Sequence, residues 1–95
     1  MKRKTEKQIQ AEIKKLKAIQ PKVRRYGMMG DNHEAIDAQL HVLEKNLSDD
    51  EIWNRYGVEG EISVVFDAAM DAYRWLRGEK VADHKSLAAA WKELM

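Results

Sequence analysis

The stretch "GDNHEAIDAQLHVLEKNLSDDE", residues 30–51, decides the fold. Ile36, Leu40, Leu43 and Leu47 recur at spacings of four, three and four, which lines them along one side of an α-helix. Ala35, Gln39 and Val42 widen that side. Asp31 reads as the N-cap, with Glu34 three residues on to reach back to it. A second start follows at once. Ser48 and Glu51 have capping-box spacing, and Leu47 before the cap can pack on Ile52 after it. Asp49, Asp50 and Glu51 suit the positive end of a helix, and Gly57 is a natural stop.

Working outward, "TEKQIQAEIKKLKAIQP" (5–21) predicts a first helix. Thr5 and Gln8 match a capping box, and Ile9, Ile13, Leu16 and Ile19 form one narrow apolar stripe. Pro21 lacks an N–H and crowds the turn before it, so this helix is expected to end near Gln20. "KVRRYGMMG" then reads as a connection. On the other side, "EGEISVVFDAAMDAYRWLRG" (59–78) predicts a helix with Ile62, Val65, Phe66, Ala69, Tyr73 and Leu76 on one face and Gly78 as its stop. Its "ISVVF" run alone resembles a strand, but strong helix formers continue it at helical period. "ADHKSLAAAWKELM" (82–95) predicts a last helix, capped by Asp83 or Ser86, with Leu87, Trp91 and Leu94 inward. The expected fold is all-α, one small domain over residues 1–95 with four to five short helices. Residues 1–26 form a basic N-terminal helix or arm that projects or swaps between chains, and 31–95 form the helical core.

Ninety-five residues suffice for one domain with a thin core. Apolar residues make up 44% and charged residues 35%, too apolar for a disordered chain and too charged for a membrane span. No apolar run nears the roughly 18 residues that a spanning helix needs. No apolar segment follows the basic "MKRKTEKQIQ", so no secretory signal is read there. The chain has no cysteine, which excludes disulfides and thiol chemistry and fits a cytoplasmic location.

The net charge of +1 conceals a strong asymmetry. Residues 1–26 carry +8, residues 27–72 carry −9 and residues 73–95 carry +2. Either the basic arm meets an anionic partner, or it lies on the acidic middle, within the chain or across a dimer.

Residues 24–52, "RRYGMMGDNHEAIDAQLHVLEKNLSDDEI", resemble a group of small uncharacterised proteins encoded in bacterial phages, prophages and plasmids. In those a basic segment leads into a Gly-Asp-Asn-His-type start and an "AIDAQ" helix. The resemblance covers about a third of the chain, by that count of residues. It implies provenance in a mobile element of a bacterial cytoplasm and carries over no functional residue. It gives residues 30–39 more weight than a spacer would have.

His33, Asp37, His41 and Glu44 are metal-ligating types at helical spacing, lying about 85° from the apolar stripe. His33 and His41 stand about 12 Å apart along one helix axis, too far to share an ion. The stripe reads as a charged edge with Asp37 pairing one or both His, so no metal and no cofactor is expected. No Ser-centred elbow, phosphate loop or His-Glu-x-x-His occurs, and the acidic cluster at 49–51 is explained by helix-start chemistry. A non-enzymatic role is therefore expected. Residues 48–78 have a helix-turn-helix outline, but Glu59, Glu61, Asp67 and Asp71 would face phosphate with repulsion.

Two candidate surfaces remain. Lys14, Lys15, Lys17, Lys22, Arg24 and Arg25, with Tyr26 as a stacking group, form a candidate nucleic-acid surface. Trp75, Tyr73, Arg77, Met28 and Met29, joined by Asp31 and His33, form a candidate protein-contact set, because Trp, Tyr and Arg dominate interface hot spots. On this reading Trp75 points outward, and Trp75→Ala removes partner binding without unfolding the domain. The leading expectation is a protein-binding module, an inhibitor or regulator acting on a host protein. The alternatives are a nucleic-acid accessory protein and a self-associating dimer. No membrane contact is expected.

Overall fold

The computed structural model describes residues 2–26, 30–57, 64–79, 81 and 86–94; the side chains of 26, 30–32 and 94 lie outside this description. The fold is all-α. The described residues form five helices: α1 (Glu6–Tyr26), α2 (Gly30–Lys45), α3 (Asp49–Tyr56), α4 (Val64–Leu76) and α5 (Leu87–Leu94). α2 is central, packed on both α1 and α4; α3 lies on α4, and α5 lies on α1 and α4.

The local starts follow the sequence closely. Thr5 and Gln8 exchange both capping-box bonds: the Thr5 N–H donates to Gln8 Oε1 at 2.8 Å, and the Gln8 N–H donates to Thr5 Oγ1 at 3.2 Å. Ser48 and Glu51 do the same at α3. At α5 the choice between two caps is resolved at Ser86, whose Oγ accepts the Ala89 N–H at 3.0 Å. Asp83 lies outside the described residues. α2 begins at Gly30, so Asp31 falls inside the helix instead of capping it.

The helix ends differ in kind. Gly78 has φ +86°, the Gly78 N–H donates to the Trp75 carbonyl and the Glu79 N–H donates to the Arg74 carbonyl. This is the left-handed stop in which two orphan carbonyls are satisfied. Asn46 does the same for α2, with φ 51° and the Leu47 N–H donating to the Val42 carbonyl at 3.3 Å. Gly57 ends α3 for another reason. Its φ is −73°, an ordinary value, but a Cβ there would lie 2.5 Å from the Trp53 carbonyl oxygen.

Two expectations about α1 are corrected. The helix does not stop near Gln20; it runs through Pro21 to Tyr26. Pro21 is exposed, while Val23 beyond it is buried beside Ile9, Ile13, Leu16 and Ile19. Burial of Val23, with the Arg24–Asp37 pair beside it, holds the helix together past the backbone bond missing at the Lys17 carbonyl. Nor does α1 project: its whole apolar stripe belongs to the same core cluster as α2, α4 and α5.

Among the described residues the core contains two buried polar side chains, and both tie helices together. Gln39 on α2 accepts the Trp91 indole N–H of α5 at 2.7 Å and donates to the Ala68 carbonyl of α4 at 3.1 Å. Glu12 on α1 accepts the Ala88 N–H at 2.9 Å, so it serves as a second cap at the start of α5. A carboxylate there also meets the positive helix end.

Residues 2–4 form a strap across two helix ends. The Lys4 N–H donates to the Leu76 carbonyl at 2.9 Å, Arg3 bonds to Asn46, and the Lys4 ammonium sits 5.1 Å from the Trp75 ring centroid. The Lys2 carbonyl passes so close to Gly78 that a Cβ there would meet it at 2.1 Å.

Candidate interaction surfaces

The metal-type stripe of α2 faces α1. Asp37 accepts from Arg24 at 3.3 Å, from Gln20, and lies 3.5 Å from His33 Nδ1. Glu44 pairs with Lys17 at 3.3 Å. The two acids are thus bound to α1 cations, and Asp37 pairs with one His only. His41 has a lowered pKa, first because burial penalises its charged form, then because Arg55 and Lys45 repel it; Glu44 opposes them. Among the described residues, no three His, Asp or Glu side chains gather into a metal-ligating cluster. His84 lies outside them.

Of the seven expected protein-contact residues, the four whose side chains are described do not form one surface. Trp75 is the main correction. It is 5% exposed, packed into the core under Lys4, and its indole N–H has no hydrogen-bond partner among the described residues. It faces inward because Ala68, Ala72 and Trp75 repeat at helical spacing along the buried side of α4. Tyr73 is half-buried, with the Arg77 guanidinium 5.5 Å from its ring and bonded to its hydroxyl at 3.4 Å. His33 sits at the α1–α2 seam. Met28, Met29 and the Asp31 side chain lie outside the described residues.

Among the described residues the exposed aromatic is a different one. Trp53 on α3 is 57% exposed and rests on Phe66 of α4, with ring centroids 4.4 Å apart and planes tilted by 52°. The sequence signal existed but was weak. Ile52 is the buried residue of this eight-residue helix, and its neighbour points about 100° away. Asp49 and Asp50, one turn before Trp53, are exposed, and Tyr56, one turn after it, is half-buried.

A second feature lies on the other flank of α4. Val64, 52% exposed, borders a cleft of about 190 Å³ with Asp67, Asp71, Val81, Leu87 and Trp91. Burial raises the pKa of Asp71, and its Arg74 partner at 3.2 Å opposes that rise.

The cations of the N-terminal segment divide into two groups. Arg3, Lys4, Lys17 and Arg24 are engaged within the chain, as described above. Lys2, Lys7, Lys14, Lys15, Lys22 and Arg25 are exposed, with no ion pair among the described residues. The Tyr26 side chain lies outside that set. No described helix is long and apolar enough to cross a membrane. In comparisons with known proteins, the chain matches no family model, no curated protein and no solved structure.

Proposed function

We propose that this chain is a non-enzymatic protein-binding module that docks through Trp53 on α3. The observation that carries this reading is the 57% exposure of an indole already braced by Phe66. A braced aromatic loses little freedom on binding, so most of the area it buries adds to affinity. The flanking Asp49 and Asp50 favour a partner with an apolar pocket bordered by Lys or Arg. The role is that of an inhibitor or regulator in a bacterial cytoplasm, acting on a host protein, in keeping with the mobile-element resemblance.

The test is affinity capture from nuclease-treated bacterial lysate with three proteins: the native chain, Trp53→Ala, and Asp49→Lys with Asp50→Lys. A partner held by the native chain should be lost with Trp53→Ala and weakened by the charge reversals. Trp53→Ala removes the ring contact with Phe66, so unfolding free energy should fall by roughly 0.5–1.5 kcal/mol or somewhat more while circular dichroism still reports a folded helical domain. A captured partner indifferent to both variants would show that docking occurs elsewhere.

A further inference from the structure

The continuation of α1 through Pro21 has an effect on its outer face. At about 100° per residue, Arg25 falls in line with Lys7, with Lys14 about 20° and Lys22 about 60° from that line. All four are exposed. They span 18 residues, hence about 27 Å of helix. Between them the same face carries exposed Ala11 and Ala18, which leave room for close approach, with the uncharged Pro21 and Gln10 about 40° and 60° from the line. The two carboxylates of α1 are turned elsewhere: Glu12 is buried against α5, and Glu6 accepts from Gln10 at 2.9 Å. Glu44 and Asp37 of α2 are paired with Lys17 and Arg24 on the inner edges.

We infer that this outer face of α1 binds the phosphodiester backbone of a nucleic-acid duplex, through Lys7, Lys14, Lys22 and Arg25. A band of cations about 80° wide, with uncharged residues between them, matches a run of phosphates along a backbone. It offers nothing to read a base edge, so binding is independent of sequence. Single strands are disfavoured because no described aromatic residue lies on this face to stack on bases. A lipid surface is disfavoured because the apolar residues of α1, from Ile9 to Val23, are buried in the core and cannot insert.

The test is a titration of fluorescently labelled duplexes, DNA and RNA of one sequence, between about 50 and 200 mM salt. Four phosphate contacts at about 0.9 each give a log–log slope of about −3.6 on DNA, an affinity loss of roughly 10²-fold over that range. Lys14→Gln with Arg25→Gln should halve the slope. Lys17→Gln with Arg24→Gln, which removes the inner cations, should leave it unchanged. Equal loss from both pairs, or no duplex binding at low salt, would overturn the inference. Adsorption to anionic vesicles without duplex binding would overturn it as well. Binding to either duplex supports it, and the two arms tell which backbone is preferred. Trp53→Ala should leave duplex affinity unchanged, so this face and the protein-docking face stand or fall separately.

Discussion

At the scale of single residues, Gln39 shows how much one buried amide organises. It lies on the apolar face of α2, where its spacing marks it only as a filler between Ala35 and Val42. In the fold it accepts from Trp91 and donates to Ala68, so it joins α2, α5 and α4 at one point. Removing it leaves a buried indole N–H without a partner, a loss of about 1–3 kcal/mol. Gln39→Ala is therefore expected to lower the melting temperature more than Ala substitution at exposed Gln10, by thermal denaturation followed by circular dichroism. Equal shifts would show that the bond to Trp91 contributes nothing. Trp75 makes the opposite point. The sequence identifies an aromatic residue, but the buried side of α4 claims it. Its truncation is now expected to damage the core instead of a binding surface.

At the scale of elements, the caps are local and the helix lengths are not. Thr5 with Gln8 and Ser48 with Glu51 were readable because each box closes within four residues. Pro21 was misread because local chemistry opposes the helix there while Val23, two residues on, holds it in the core. That balance predicts a gain. Pro21→Ala restores an N–H for the Lys17 carbonyl and relieves the ring's crowding of the preceding turn. Proline costs about 3 kcal/mol relative to alanine in a helix interior, and part of that is recoverable at this exposed site. Each kcal/mol raises the melting temperature of a domain this size by roughly 4–8 °C. No rise in a thermal melt would mean that α1 beyond residue 20 adds nothing to stability.

At the scale of the whole molecule, the charge asymmetry is in part an internal arrangement. The basic first helix lies along the acidic second, with Lys17–Glu44 and Arg24–Asp37 at the seam. The strap of residues 2–4 crosses the C-terminal ends of α2 and α4, where cations are favoured. Deleting residues 2–4 should lower the melting temperature, although these residues belong to no helix. A truncated chain as stable as the full one would show that the strap merely rests on the surface. What the internal pairing leaves over is specific: Trp53 on one side, and the outer cations of α1 on another.

The sequence by itself determined the helical class, the capping boxes, the glycine stop at residue 78 and the apolar stripes, because each arises from contacts within one or two helical turns. It also marked the stripe of His33, Asp37, His41 and Glu44 as a polar edge. Only the tertiary structure decided which aromatic is exposed, which cations are free and how far α1 extends. Those outcomes depend on where neighbouring helices place their surfaces, and helical period does not specify which element will cover a given face. Trp75 and Trp53 are alike as side chains. α4 lies across the core and buries the one, while the short α3 reaches the core through Ile52 and leaves the other in solvent.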